Sequence, residues 1–276
     1  MKRLLLAGSG FLGGETARLF REAGWDVIAL ARSSAGPSVL ACDITVESAL
    51  EELRGRIGGV DAILHCASSG RGGAEEYRRI YLLGAQNLLR TFGPAPFLFT
   101  SSTSVYAQTD GSWVDEDSPA EPARETGRIL RLAEEFVLER GGAVARLAGL
   151  YGPGRFVLLD KFLDGRAVIE GDGMRRLNHI HRDDAASALF FLLNHARQGV
   201  YNVADDCPLT QFECHEWLSQ YFHKPLPPRR PVDRDRKRGW TSKRVSNRKL
   251  RRLGWKCAHP SFKEAVPGLA QSNAAG

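Results

Sequence analysis

The chain has 276 residues, 43% of them hydrophobic, which suits one large domain or one domain with a smaller lobe. No run of about 18 apolar residues occurs and the N-terminus leads directly into a predicted strand, so we expect no transmembrane helix, no signal peptide and a cytoplasmic location. The net charge of +6 arises within residues 224–256, so the rest of the chain is not basic, and the five scattered cysteines exclude a disulfide framework or a C-x-x-C zinc site.

The first predicted elements are a strand, a glycine-rich turn and a helix. An apolar run at residues 4–7 predicts the strand, and residues 15–23 have helical composition. The turn between them reads G-x-G-x-x-G and consists of Gly8, Ser9, Gly10, Phe11, Leu12 and Gly13. In this context the motif predicts dinucleotide binding: Gly8 permits the tight turn, Gly10 lets backbone N–H groups approach a pyrophosphate, and Gly13 lets helix and strand pack closely. A glycine turn without a ligand is the alternative.

The second predicted strand, at residues 26–31, precedes the residue that we expect to select the cofactor. NAD-preferring folds place an acidic residue near the end of this strand, where it holds the ribose hydroxyls. Here the strand leads into Arg32, Ser33 and Ser34. A guanidinium at this position can pair with a 2′-phosphate, with the two hydroxyls as further donors. The sequence therefore favours NADP, leaves NAD open, and has a solvated loop arginine as the alternative.

Two further cofactor contacts are expected after later strands. A short strand at residues 39–41 precedes Asp43, which is expected either near the adenine edge or as the cap of the next helix. A strand at residues 60–65 continues into the second contact, which comprises Cys66, Ala67 and Ser68.

Strands and helices alternate as far as residue 100. Helices are predicted from about residue 46 to residue 57 and over residues 74–92, and a strand at residues 97–100 follows. Because such alternation is typical of βαβ units, the fold class is α/β, with a doubly wound parallel sheet of the Rossmann type.

Motifs from residue 101 onward are similar to those of a known superfamily. They lie at Ser101–Tyr106, Arg146–Gly154, His179–Ala186, Tyr201–Val203 and Ser246–Trp255. With them, the chain resembles the extended short-chain dehydrogenase/reductase superfamily, of the NAD-dependent epimerase/dehydratase type, over essentially its whole length. The resemblance implies a Rossmann domain at residues 1–150. It also implies a smaller, mainly C-terminal substrate lobe at residues 151–276, with some segments packing back on the first domain.

The sequence departs from that superfamily where the chemistry takes place. The superfamily uses a Tyr-x-x-x-Lys pair, in which the Lys lowers the pKa of the Tyr that exchanges a proton with the substrate oxygen. Alignment on either of two adjacent glutamates, Glu134 and Glu135, places at these positions Thr126 and Leu130, or Gly127 and Arg131. Tyr81 stands where the superfamily has a helical Asn. The chain therefore resembles an atypical branch that keeps the cofactor fold and lacks the pair.

Ser102 matches the superfamily's catalytic Ser, and the resemblance implies that its hydroxyl faces the substrate. A replacement for the missing acid is then needed. Tyr106 is a candidate because it follows Ser102 on the same loop, with a packing role as the alternative. Arg124 and Glu125 are further candidates at the start of the next helix, where both could equally be surface residues.

Two histidines and two aspartates precede an apolar helix predicted at residues 185–193, namely His179, His181, Asp183 and Asp184. We expect one Asp to cap the helix and one His to lie beside the cleft. A pair of metal ligands is the alternative, but the spacing does not favour it, so no metal is predicted.

The C-terminal third is expected to build the smaller lobe. Its predicted elements are a helix at 155–163, a strand at 167–169, a helix at 211–222 with Thr210 as its N-cap, a mobile charged loop at 234–238, and a helix at 247–253 ended by Gly254.

The basic segment, residues 224–256, carries fourteen Lys and Arg against two Asp. A solvated surface is the plainest interpretation. A second is that Lys243 and Arg244 recognise a phosphate or carboxylate on the substrate. Nucleic-acid binding is a third, which the shortage of interleaved aromatic residues disfavours.

The combined prediction is an NADP-binding oxidoreductase or epimerase-like protein that acts on a small polar substrate, with an anionic group on that substrate left open. Ligands of such sheets lie outside the carboxyl ends of the strands, so the substrate is expected among Ser102, Tyr106, Arg146 and His181. A non-catalytic NADP-binding sensor or scaffold is the alternative, because the Tyr and Lys are missing.

Overall fold

The structure is a computed structural model that describes residues 1–33, 38–70, 72–195, 198–234 and 240–274. The strands are β1 (Arg3–Ala7), β2 (Asp26–Ala31), β3 (Val39–Ala41), β4 (Ala62–His65), β5 (Phe97–Ser102), β6 (Trp113–Val114), β7 (Ala143–Leu147), β8 (Gly149–Tyr151), β9 (Ile169–Glu170), β10 (His179–His181), β11 (Gly199–Val203), β12 (Arg229–Arg230) and β13 (Arg244–Val245).

The helices alternate with these strands. They are α1 (Phe11–Glu22), α2 (Glu47–Ile57), α3 (Ala74–Tyr77), α4 (Gly84–Phe92), α5 (Glu125–Glu139), α6 (Val157–Leu163), α7 (Arg182–His195), α8 (Gln211–Phe222), α9 (Arg248–Arg252) and α10 (Phe262–Ala274). A π-helical segment, Arg78–Leu83, joins α3 to α4, so the helix predicted over residues 74–92 is present with a widened middle.

Seven parallel strands form the central sheet, in the order β11-β7-β5-β4-β1-β2-β3. Helices α1 and α7 pack together, as do α2 and α4, while α5 packs against the α3–α4 region. Leu4, Leu5 and Leu6 of β1 are completely buried, as expected of a strand covered on both faces. The predicted doubly wound parallel sheet is confirmed.

A second, smaller apolar core lies apart from the sheet. Its large buried members include Tyr151 of β8, Phe162 of α6, Leu218 of α8 and Phe262 of α10. Thr210 caps α8 as predicted, because its side chain accepts a hydrogen bond from the backbone N–H of Glu213 while the Glu213 side chain accepts one from the Thr210 N–H.

Some helices of the structure differ in their bounds from the predicted ones or were missed. Helix α7 begins three residues earlier than predicted, and α10 was not predicted because Pro267 and Gly268 interrupt its pattern. Ser34 and most of the charged run at 234–238 lie outside the described residues. In the described part of the chain, no helix combines the length and the apolar character that crossing a membrane requires.

Candidate active site

The carboxyl ends of the central strands border a cleft of about 600 Å³, which we call the main cleft. It lies beside β1 and β4, where the strand order reverses and where doubly wound sheets bind their ligands. All but one of the described residues predicted at the cofactor line it: Gly8, Ser9, Gly10, Phe11, Leu12, Gly13, Arg32, Asp43, Cys66, Ala67 and Ser68. The exception, Ser33, is exposed and does not line the cleft.

The glycine turn leaves room for a ligand only at its middle glycine. Gly8 has φ +97°, and a Cβ there would lie 2.4 Å from the backbone nitrogen of Ala67. A Cβ on Gly13 would lie 1.9 Å from the carbonyl oxygen of Gly8, whereas one on Gly10 would meet no atom within 4 Å. Helix α1 begins at Phe11 without a side-chain cap. Its first N–H groups and the open space at Gly10 therefore fit a pyrophosphate.

Arg32 lies at the outer end of the main cleft, 64% exposed, with Nη1 3.2 Å from Oε1 of Glu76. An exposed ion pair of this kind is weak, so the guanidinium can turn to another anion at little cost.

Asp43 faces the main cleft and does not cap α2. Its carboxylate accepts a hydrogen bond of 2.9 Å from the backbone N–H of Thr45, and the N-cap position of α2 is Val46. Of the two predicted roles, the structure excludes the helix cap and leaves the cofactor contact as a prediction. Cys66, which directly follows β4, also lines the main cleft. Burial raises the pKa of its thiol to about 12, so the thiol is neutral there.

Ser102 ends β5 at the main cleft. Its Oγ accepts a hydrogen bond of 3.2 Å from the backbone N–H of Ser104, and within the described chain no acceptor takes its own proton. The neighbouring side chains are occupied: Thr100 donates to the carbonyl oxygen of His65, and Ser101 donates to Glu134. Ser102 therefore lies where the sequence predicted it, with a hydroxyl proton to offer.

A smaller cavity of about 220 Å³, which we call the side cavity, adjoins the main cleft. The two have three residues in common, Tyr77, Ser104 and Leu130. Thr126 and Arg124 also line the side cavity, while Glu125 lines neither. The two cavities thus meet at α5, where the superfamily's Tyr and Lys are expected.

The surroundings of α5 bear on the two alignments. Glu134 is completely buried, whereas Glu135 is half-exposed and pairs with Arg131 on the outer face. Leu130 faces both cavities, and both Thr126 and Gly127 line the side cavity. The buried carboxylate favours the alignment on Glu134, which places Thr126 and Leu130 at the Tyr and Lys positions, and the alignment on Glu135 lacks the pair equally.

The structure corrects the positions predicted for Tyr106 and Arg146, which lie in the core and not at the cleft. The Tyr106 hydroxyl donates to Oδ1 of Asn202 over 2.9 Å and accepts from Nη1 of Arg146 over 2.8 Å. Arg146 in turn contacts Glu134, with 2.7 Å between Nη2 and Oε2. Burial raises the pKa of Tyr106. A hydroxyl enclosed in this network cannot exchange a proton with a substrate.

Lys243 and Arg244 are also placed away from both cavities. Lys243 is 4% exposed, and its Nζ donates to the Tyr106 carbonyl oxygen over 2.8 Å and to the Thr241 hydroxyl over 3.0 Å. Burial lowers the pKa of Lys243 to about 8. The Arg244 guanidinium lies 5.9 Å from the ring centre of Trp113. Their predicted role as an anion site is therefore not supported by their positions.

Of the two histidines before α7, His179 lines the main cleft and His181 does not. His181 is 4% exposed, with its ring centre 4.1 Å from that of His259. Asp184 does not cap its helix: its carboxylate accepts hydrogen bonds from the backbone N–H groups of Ala258 and His259, over 2.6 and 2.9 Å. His181 therefore lies away from the cleft where a substrate contact was predicted, and its ring packs against that of His259.

The same cluster has the composition of a metal site. Potential ligand atoms of His181, Asp184 and His259 lie within 4.8 Å of one another. The Asp184 carboxylate, however, also contacts Nδ1 of His259 at 2.8 Å, in addition to the two backbone N–H groups. These hydrogen bonds account for the buried carboxylate, and we assign the cluster a structural role.

Sequence reasoning missed Tyr77 and Tyr151 as residues that line the main cleft. Tyr77 and Tyr81 are four residues apart on one helix, and a helix packed on a sheet presents residues at this spacing on one face. The spacing of the two tyrosines could therefore have predicted that both face the cleft. Nothing in the sequence predicted this for Tyr151, because its motif indicates the fold and not the direction of the side chain.

Comparison with known proteins agrees with this geometry. The sequence model described as the NAD dependent epimerase/dehydratase family matches residues 4–204. Among curated proteins, none matches the chain significantly.

Several solved structures share the fold over the whole chain. A Methylobacillus flagellatus protein assigned to the NAD-dependent epimerases/dehydratases is 26% identical, with a TM-score of 0.81 and 99% of each chain covered. The UDP-glucose 4-epimerase of Thermotoga maritima, solved with UDP-glucose, is 18% identical, with a TM-score of 0.85 and 99% of each chain covered. The dTDP-glucose 4,6-dehydratase of Bacillus anthracis, solved with NAD, is 17% identical, with a TM-score of 0.83 and coverage of 100% and 97%.

Proposed function

The chain belongs to the NAD-dependent epimerase/dehydratase family, and on that premise we propose that it is an NAD(P)-dependent enzyme that transfers a hydride to or from a small polar substrate. The observation that carries the proposal is the common cavity: the glycine turn and Ser102 line one cleft. When bound, the nicotinamide supplies or accepts the hydride. The residues of the chain bind both molecules and handle the proton.

The proposed cofactor is NADP in preference to NAD. The glycine turn and the N-terminus of α1 would hold the pyrophosphate, and Asp43 would lie at the adenine end. Arg32 is the reason for proposing a 2′-phosphate, because it follows β2 at the cleft and its contact with Glu76 is exposed. No acidic residue stands at that position to hold the free ribose hydroxyls.

The proposed substrate is a sugar-like molecule with an anionic group. The similar structures from Thermotoga maritima and Bacillus anthracis are named for enzymes of nucleotide-linked sugars, which supports this class. Ser102 would donate its hydroxyl proton to the substrate oxygen. Arg155 lines the cleft, where its guanidinium lies 5.2 Å from the ring centre of Phe11, and none of the described carboxylates pairs with it. It is therefore better placed than Lys243 or Arg244 to hold the anionic group.

Cofactor titration tests the first part of the proposal. NADPH should bind more tightly than NADH, and Arg32→Glu should reverse that order because the new carboxylate repels the phosphate and can accept from the ribose hydroxyls. Arg56→Glu makes the same change of charge on the exposed end of α2 and should leave the order intact. Equal affinities in the wild type, or an unchanged order in Arg32→Glu, contradict the NADP assignment.

A second candidate function is an NADP-binding sensor or scaffold. It is favoured by one observation, the presence of Thr126 and Leu130 at the Tyr and Lys positions. The two functions separate in a turnover screen with UDP-glucose, dTDP-glucose and the corresponding keto sugars, in which nicotinamide absorbance reports net oxidation or reduction and product analysis reports reactions that regenerate the cofactor. Turnover establishes the enzyme, whereas cofactor binding without turnover of any sugar supports the sensor.

A further inference from the structure

A phenol lies at the junction of the two cavities, on a helix other than the one from which the superfamily's Tyr is missing. Tyr77 ends α3, and it lines the main cleft together with Ser102 and the side cavity together with Thr126. Its side chain is 6% exposed. No residue in the described ranges hydrogen-bonds to its hydroxyl, so both its proton and its lone pairs are available to a ligand.

The other tyrosines near the cleft are less suitable. The Tyr81 hydroxyl accepts a hydrogen bond from the backbone N–H of Ser69 at 3.4 Å, and Tyr81 lines the main cleft alone and not the junction with the side cavity beside Thr126. The Tyr151 hydroxyl is completely buried, and burial raises its pKa strongly. Tyr106 belongs to the buried network with Asn202 and Arg146. Tyr77 is therefore the phenol that a substrate bound beside Ser102 can reach.

The packing around Tyr77 fixes its position. The ring contacts that of Tyr81, with 4.9 Å between centres, and α3 packs against α5. Leu130, at the Lys position, contributes an apolar wall to both cavities. The junction thus pairs one phenol with an apolar neighbour, where the superfamily pairs a phenol with an ammonium group.

We propose that Tyr77 is the residue that protonates the substrate oxygen, in place of the missing Tyr of α5. This inference rests on the proposed hydride-transfer function. In carbonyl reduction, the carbonyl carbon receives the hydride with its electron pair. The carbonyl oxygen then takes the proton from the Tyr77 hydroxyl, and the phenolate recovers a proton from water. Because phenols are ordinarily protonated near neutral pH, a phenol without a neighbouring Lys serves better as an acid than as a base. Carbonyl reduction is therefore the direction that this site suits.

A binding experiment tests the position of Tyr77 without relying on activity. The protein is labelled with fluorotyrosine, and fluorine NMR follows its six tyrosines. Tyr77→Phe identifies the Tyr77 resonance. This resonance should shift when NADP⁺ binds, and should shift differently with NADPH, because only NADP⁺ carries a positive charge on the nicotinamide ring. The Tyr201 resonance is the control and should not move, since Tyr201 lies away from the cleft on β11.

The outcomes separate this inference from the proposed function. If other cleft resonances shift while that of Tyr77 does not, the Tyr77 assignment is overturned and cofactor binding stands. If no resonance shifts and NADPH does not bind, the proposed function itself fails.

A kinetic comparison then tests the role of the hydroxyl. With the sugar substrate identified by the turnover screen, Tyr77→Phe should lower kcat by about 100-fold or more and leave NADPH affinity unchanged, as expected when a general acid is removed. Tyr201→Phe removes a phenol on β11, outside both cavities, and should leave kcat unchanged. Equal effects of the two substitutions, or full activity in Tyr77→Phe, overturn the assignment, and so does the failure of every sugar to turn over.

Discussion

At the scale of single residues, one buried carboxylate holds the end of β5 in place. Glu134 accepts hydrogen bonds from Ser101 over 2.5 Å and from Arg146 over 2.7 Å, and it is completely buried. Ser101 directly precedes Ser102. The carboxylate therefore helps to determine where the Ser102 hydroxyl lies, although it does not itself reach the cleft.

Removing this carboxylate should destabilise the protein strongly. Glu134→Ala leaves the Arg146 guanidinium buried without its carboxylate partner, and we expect the free energy of unfolding to fall by about 3–5 kcal/mol. Glu135→Ala, one residue away, breaks only the exposed pair with Arg131 and should cost about 0–1 kcal/mol. Urea unfolding of the two variants measures both values, and similar losses would contradict the structural role of Glu134.

Removing the Ser102 hydroxyl should affect turnover and not cofactor binding. Ser102→Ala takes away a donor to the substrate oxygen, and we expect kcat to fall by about 100-fold. NADPH affinity should remain that of the wild type, because the phosphates lie at the glycine turn. Ser48→Ala removes an exposed hydroxyl on α2, outside both cavities, and should change neither quantity. A loss of NADPH affinity that matches the loss of turnover would show that Ser102 contacts the cofactor.

At the scale of elements, the parts that depend on local sequence were predictable and those that depend on distant contacts were not. Strands β2 and β3 have the predicted bounds, since short apolar runs between turns specify them. The direction of Tyr106 was not predictable, because its hydroxyl partner, Asn202, lies 96 residues further along the chain. A motif indicates that a residue is close to the cleft but not which way its side chain points. The predicted substrate contacts Tyr106, Arg146 and His181 therefore lie away from the main cleft, whereas the residues of the glycine turn line it.

The N-cap of helix α8 is an interaction between neighbouring residues whose contribution to stability can be measured. Thr210→Ala removes the side chain that accepts from the Glu213 N–H, and the expected loss is about 1–2 kcal/mol in the free energy of unfolding. Thr210→Ser keeps the hydroxyl and should recover most of that stability. If the Ser variant were as unstable as the Ala variant, the methyl group and not the cap would be the source of the effect.

At the scale of the whole molecule, the protein buries several neutral histidines. Burial lowers the pKa of His65, His179 and His215 to about 4, whereas the ordinary value is 6.5. The unfolded chain therefore binds protons that the folded chain does not between these values. The stability that the histidines contribute is complete above about pH 6.5 and is lost as the pH falls towards 4.

Calorimetry across this range tests the expectation. Tm should fall as the pH is lowered from 6.5 to 4, and His215→Phe should reduce the fall, since the ring already stacks on Phe162 and its buried Nδ1 has no partner in the described chain. His195→Gln alters an exposed histidine at the end of α7 and should leave the slope unchanged. A Tm that is constant over this range, or a His215→Phe slope equal to that of the wild type, would contradict the role of burial.

The contact between Asp184 and residues 258–259 has a consequence for the order in which the protein can be assembled during synthesis. All seven strands of the central sheet have been made once residue 203 is complete. The smaller core, however, requires Phe262, Val266 and Leu269, which the ribosome adds more than fifty residues later. Until Ala258 and His259 are made, Asp184 lacks the N–H groups that satisfy it. The sheet can therefore form on the ribosome well before the smaller core is complete. The main cleft, which residues on both sides line, takes its shape last.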